Sequence, residues 1–200
     1  MNVRLEYSSE FISGVHWDNS MLMNNYTIRL YMMTNCSDSV SQNIAFERLK
    51  YYIYSQLNHS VFINQNNELA LEKYQQAGIK TLMLPAEPVD QLLGIMLYCK
   101  LNAIMEGRMI INEIEISSDL GERMIYLHAA DENLGPFEDA GWWHNVDLPS
   151  RSTLESNNDK VVAMNNINAW RELELDWPEL TASAEDNTVV FAEFGKDDTK

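Results

Sequence analysis

Hydrophobic and polar positions are most tightly patterned over residues 87–128, and the rest of the chain is read outward from there. Glu87-Pro88-Val89-Asp90 opens the stretch. Proline suits a first helical turn, where its missing N–H is not needed, and acids suit the positive end of a helix dipole. Residues 91–106 then run almost without interruption to Gly107, a usual helix stop. Wound at about 100° per residue, Val89, Leu92, Leu93, Met96, Cys99, Ala103 and Ile104 share one face. Asp90, Gln91, Gly94, Asn102 and Glu106 fall on a narrow opposite stripe, with Ile95, Tyr98, Leu101 and Met105 intruding beside it. A helix apolar most of the way round is expected to be covered on more than one side. Asp90, Gln91, Gly94, Lys100 and Asn102 interrupt the run, which falls short of the roughly 18 clean apolar residues of a membrane span.

Residues 108–116 alternate, with Ile110, Ile114 and Ile116 opposite Glu113 and Glu115. After the turn residues 117–121, Arg123 to His128 reads as an antiparallel return, making a hairpin. Upstream, residues 2–7 alternate as a first strand. Residues 8–25 show no clear period but carry Phe11, Ile12, Val15, Trp17, Met21 and Leu22, so they are expected to wrap the core irregularly. Residues 26–33 alternate as a strand. Ser39-Val40-Ser41-Gln42 matches a capping box and opens a helix to about Leu57, with Phe46, Leu49, Ile53 and Leu57 inward. A short strand follows at 60–63. Asn64 or Asn66 caps a helix to Ala77, ended by Gly78, and 79–84 is another strand.

The order β-α-β-α-β-α-β-β predicts an α/β (or α+β) fold. It would be a mixed, partly parallel sheet with about three packed helices, a β-hairpin after the central helix and an irregular acidic C-terminal extension. The expected division is a core over 1–147 and an extension over 148–200, loosely attached or packed on the core. Within the extension, 161–170 reads as a short helix, 171–177 as a strand or helix end, and 188–194 as a strand.

Charge sharpens this division. The chain carries −16 overall, and residues 101–200 hold 21 acids against seven bases. No basic patch is visible, so binding along a phosphate backbone is not expected. A partner protein with a basic surface fits the charge; so does plain solubility. Cys36 and Cys99 are the two cysteines, and Cys99 lies in the central helix, so no disulfide framework is expected. With no hydrophobic leader at the start, the protein is expected in a cytoplasm, a host's if it is viral.

Candidate chemistry is sparse. Glu113 and Glu115 share a strand face, and His128 on the returning strand would complete an acid–His set for a metal-dependent hydrolase or nuclease. The alternative is an ordinary solvated sheet face. His128 also lies near Asp131 and Glu132, as a metal or acid–base group or a simple turn. Cys36 sits between a strand and a helix start, where a thiol can become nucleophilic or an anion can be cradled; a plain capping turn is the competing reading. No zinc spacing, P-loop or dinucleotide fingerprint is present, and no cofactor is expected. Trp142 and Trp143 are interface anchors or a cap on the core.

The leading expectation is an acidic interaction protein that binds a partner protein through Trp142, Trp143, Glu172, Glu174 and Asp176. A specific version is an inhibitor or nucleic-acid mimic of viral origin. The rivals are the metal-dependent enzyme and a structural subunit that adds 189–194 to a neighbour's sheet.

Overall fold

The computed structural model describes residues 4–148 and 169–178. Its centre is a long hairpin, β1 (Arg4–Trp17) and β2 (Ser20–Thr34), paired in register from Arg4↔Met33 to Trp17↔Ser20. Asp18 and Asn19 make the turn, with φ of 45° and 59°. Two consecutive positive φ angles give the tight turn whose twist matches the flanking strands, and Asp and Asn tolerate that region better than most residues. The expectation of irregular chain over 8–25 is therefore corrected. The alternation there is hidden because Ser9, Ser13 and His16 are buried polar residues. Ser13 Oγ donates to the Leu57 carbonyl, and the His16 ring meets the Tyr74 hydroxyl at 2.7 Å and the Asn67 amide at 2.9 Å.

Four further strands complete one six-stranded sheet: β3 (Val61–Asn64), β4 (Thr81–Leu84), β5 (Met109–Ser118) and β6 (Tyr126–Ala129), in the order β4-β3-β1-β2-β5-β6. The β1–β3 and β3–β4 pairs are parallel, and the others antiparallel. The mixed, partly parallel α+β sheet and the hairpin after the central helix are as the sequence predicts.

Helix α1 (Ser39–Tyr51) continues through a π-helical turn, Tyr52–Leu57. Its cap is Asp38, which accepts from Val40 N and Ser41 N; the expected Ser39–Gln42 box does not form, because the Gln42 side chain donates to the Cys36 carbonyl. Helix α2 (Glu68–Gln76) is capped by Asn67 and buries Ala70 and Leu71 with Ile63 in a small second core. Its place follows from strand alternation: Phe62 faces the main core and Ile63 the other way, so α2 lies on the opposite sheet face from α1.

Helix α3 (Asp90–Met105) fills the main face. Its i, i+4 row Asp90, Gly94, Tyr98, Asn102 is the side that meets the sheet. Ser118 Oγ donates to Asp90, Tyr98 packs edge-on against His128 at 4.8 Å, and Ile111 N donates to Asn102 Oδ1. A Cβ at Gly94 would lie 2.9 Å from Ile116 Cγ2, so glycine permits the close approach. Asp90, Gly94 and Asn102, from the narrow stripe opposite the main apolar face, are thus the sheet contact.

The outer side of α3 is closed by later chain. Lys100, fully buried, donates to the carbonyls of Trp142, Asn145 and Asp147 at 3.2, 2.6 and 2.7 Å. A second buried cation, Arg48 of α1, holds residues 169–178, which begin with α4 (Ala169–Glu172). Its guanidinium lies 3.9 Å from the Trp177 ring centre and 4.8 Å from that of Trp170. It donates to the carbonyls of Leu175 and Ile104 and to Glu106. This part of the extension is packed on the core; the strand expected at 188–194 lies outside the described residues.

Removing one partner of a buried charged set leaves the others without compensation. Arg48→Ala is expected to cost about 3 kcal/mol in urea unfolding and to open 169–178 to proteolysis. A loss below about 1 kcal/mol would contradict this role. Lys100 adds a pH signature. Burial lowers its pKa from the ordinary 10.5 to about 8, with Asp147 opposing. Between those values the unfolded chain keeps a proton that the folded chain has released, so stability due to Lys100 rises with pH across that window. Relative to Lys100→Met, wild type should gain at most about 3 kcal/mol there. An unchanged difference would mean that the carbonyl cage fully offsets burial.

Candidate functional site: an apolar cleft with a carboxylate floor

At the N-terminus of α3 the hairpin tip and the turn after β5 enclose a cleft of about 360 Å³. Val15, Trp17, Leu22, Pro88, Val89 and Leu120 supply its apolar walls. Asp90, Asn24, Tyr26 and Tyr126 bring polar atoms to it. Each wall follows from a local feature already described. The tight Asp18-Asn19 turn carries Trp17 and Leu22 to the end of the sheet, and Pro88 and Val89 lead into α3. Leu120 is placed by its own N–H, which donates to Asn24 Oδ1 at 3.0 Å.

Asp90 is half-buried. Ser118 Oγ donates to its Oδ2 at 2.6 Å and in turn accepts from Gly121 N at 3.0 Å. A Cβ at Gly121 would collide with the same carboxylate oxygen, so a larger residue there would displace the Asp90 carboxylate from its present position. Among the described residues no lysine, arginine or histidine forms an ion pair with Asp90. Burial raises its pKa above the ordinary carboxylate value, and the Ser118 hydrogen bond works the other way. Tyr26 is fully buried beside it, stacked on Phe11 at 5.0 Å, and burial raises its phenol pKa despite the bond with Asn24.

The rim is unusually apolar for exposed surface. Trp17 is 45 % exposed and Leu120 51 %, while Met124 and Ile125, just before Tyr126, reach 59 % and 62 %. Exposed apolar patches of this kind mark interaction sites more often than isolated exposed side chains do. A second cleft, at Asn64, Asn67 and Glu87, is polar and open; its asparagines are engaged locally, Asn67 in capping α2 and Asn64 with Glu87.

The residues singled out from sequence lie elsewhere. Glu113 and Glu115 project from the open sheet face, where Glu115 accepts from the Tyr31 hydroxyl and pairs with Arg29. His128 is the cross-strand partner of Ile114 and points to the opposite, buried face, so the sheet separates it from both glutamates. Its Nδ1 lies 3.3 Å from Glu132, its Nε2 is buried without a partner, and burial lowers its pKa. Asp131 is not drawn into this contact. Among the described residues no group of three or more His, Cys, Asp or Glu is placed to hold a metal ion. Cys36 belongs to the α1 capping turn, its thiol donating to the Asp38 carbonyl at 3.6 Å.

Trp143 is buried, edge-on to Phe137, with Nε1 shared between the carbonyls of Phe137 and Asp139. Trp142 is half-buried and donates to the Met83 carbonyl of edge strand β4. Both rings cap the core. Asp176 pairs with Arg171 and reaches Arg48, while Glu172 and Glu174 are exposed. Asp90, Trp17 and Leu120 were not singled out. The signal for Trp17 was the Asp18-Asn19 turn, which makes the preceding tryptophan a hairpin-tip residue; Asp90 reads from sequence as an ordinary first-turn acid.

No protein-family model matches the chain, and no curated protein matches it. Among solved structures, an uncharacterized protein from Wolinella succinogenes aligns over 66 % of this chain and 99 % of its own, with a TM-score of 0.47 and 8 % identity. A catalytic-residue mutant of Plasmodium vivax 6-pyruvoyltetrahydropterin synthase aligns over 64 % of this chain and 97 % of its own, at 0.41 and 11 %. The Plasmodium falciparum synthase gives 64 %, 96 %, 0.40 and 14 %. Likeness at this level says nothing of what the chain binds. Among the described residues no helix is long and apolar enough to cross a membrane.

A carboxylate held in an apolar cleft without a cation costs folding energy when ionised. The folded pKa lies above the unfolded one, so the cost is present above the folded pKa and is relieved as pH falls through it. Asp90→Asn, which keeps an acceptor for Ser118, is expected to raise Tm at pH 7 and to lose that advantage below about pH 4. A lowered Tm at pH 7 would contradict the description of Asp90 as a charge whose burial outweighs its bond with Ser118.

Proposed function

We propose that this chain is an acidic, non-catalytic interaction protein, and that it meets its partner protein with the apolar end of the molecule around the Asp90 cleft. The observation that carries the reading is the grouping of exposed Trp17, Leu22, Val89 and Leu120 around one cleft at one end of the sheet. Tryptophan is among the residues most enriched at the centre of protein interfaces, and the exposed aliphatic side chains beside it enlarge the apolar patch. Asp18 follows Trp17 in the hairpin turn, and Asp119 and Glu122 flank Leu120 and Gly121; Arg123 pairs with Asp119, so the acids outnumber the one cation at this border. With a net charge of −16, they favour a partner that presents basic residues.

The test compares wild type with Trp17→Thr and Leu120→Ser in affinity capture from the native host, across salt. Both side chains are exposed, so each variant should keep its Tm within a few degrees. The partner retained by wild type is expected to fall at least about tenfold with either variant. Retention should also decline between roughly 50 and 500 mM salt as the acidic border is screened. Capture that is unchanged by both variants would overturn the proposal.

A further inference from the structure

What the cleft can accept is restricted by its chemistry. Its walls are hydrocarbon and aromatic, so the occupant must have an apolar body. Its floor is one carboxylate, which among the described residues accepts a single side-chain hydrogen bond, from Ser118, and is opposed by no cation. An anion placed there would meet Asp90 inside a chain of charge −16. A cation would supply the missing counter-charge, and the aromatic residues Trp17 and Tyr126 line the same cleft. A volume of about 360 Å³ is at the small end of ligand-sized pockets (about 300–1000 Å³), and it opens onto the exposed apolar rim. That favours a short chain segment lying across the rim over an enclosed small molecule.

We infer that the cleft takes two adjacent side chains of the partner protein: an arginine whose guanidinium pairs with Asp90, and an apolar neighbour that packs on Trp17 and Leu120. This rests on the interaction surface proposed above and names what it recognises. Arginine fits better than lysine because its flat guanidinium can stack on a ring while it donates to the carboxylate.

The probe is the blocked dipeptide N-acetyl-Phe-Arg-amide, added to the full-length protein while the amide signals of Ser118, Leu120 and Gly121 are followed by NMR. Saturable shifts at millimolar dipeptide are expected. The citrulline analogue, of nearly the same shape but neutral, should bind at least about fivefold more weakly. Asp90→Asn should abolish the preference between the two. Equal binding of both dipeptides to wild type overturns the inference and needs no variant. No shift up to about 20 mM dipeptide also overturns it, whatever else fills the cleft. So do shifts that appear on diluting the protein alone, which would seat a second copy there. If the dipeptide fails while Trp17→Thr still loses the captured partner, the arginine pocket falls and the interaction surface stands. If capture is also indifferent to Trp17, both fall.

Discussion

An ammonium group taken out of water is costly by several kcal/mol unless polar atoms replace its hydration shell. Lys100 meets that requirement with three backbone carbonyls from residues 142–147, on the side of α3 away from the sheet. Arg48 meets it with the carbonyls of Leu175 and Ile104, the Glu106 carboxylate and two indole faces. All three oxygen atoms around Lys100, and the Leu175 carbonyl and both indoles around Arg48, come from the chain that covers the helices; the other Arg48 acceptors belong to α3 and its C-terminal cap. Desolvation makes the requirement strict, so each cation fixes where a later segment lies. Trp142, Trp143, Trp170 and Trp177 then have their places in the cap, and the apolar outer side of α3 is closed.

The same arrangement determines what remains open. Two of the fourteen lysines and arginines are spent inside, which leaves the surface more acidic than the composition implies. The covering segments close the flank of α3 but not its N-terminal end, where Asp90 faces a cleft instead of a cation. The contrast between Lys100 and Asp90 is instructive. Both are charges partly or wholly out of water on the same helix; one has its partners within the fold, and the other has a hydroxyl and an apolar wall. Lys100 has three carbonyls, although burial still lowers its pKa to about 8, whereas Asp90 has one hydroxyl; that difference is what supports the proposal that Asp90 meets a group outside the chain.

Much of this was legible in the sequence wherever one period governed one face. β2 and the buried side of α1 follow their alternation or helical spacing, and so does β5 from Glu113 onward; a bulge before Glu113 puts Ile111, not the expected Ile110, on the core face with Ile114 and Ile116, and α3 stops at a left-handed Glu106 just before Gly107. β1 was illegible in its second half because Ser9 and Ser13 interrupt the face that carries Phe11 while His16 is buried on the opposite face against α2, and only tertiary partners make those residues acceptable there. That Gly94 and Asn102 meet the sheet was not legible for a related reason. Gly94 is small because β5 approaches closely, and Asn102 is polar because it bonds the Ile111 backbone across from it. Lys100 looked like an interruption in an apolar run, since its carbonyls lie more than forty residues later. The acid–His set failed on pleat alone: Glu113 and Glu115 occupy odd positions on β5, and His128 pairs with Ile114 between them.

Hydrogen exchange on the full-length protein, read peptide by peptide, tests most directly whether buried cations fasten the later chain to the earlier. The account predicts that residues 142–148 and 169–178 exchange slowly, with protection comparable to that of α3. Exchange of both segments at the rate of an unstructured peptide, while α3 stays protected, would contradict it.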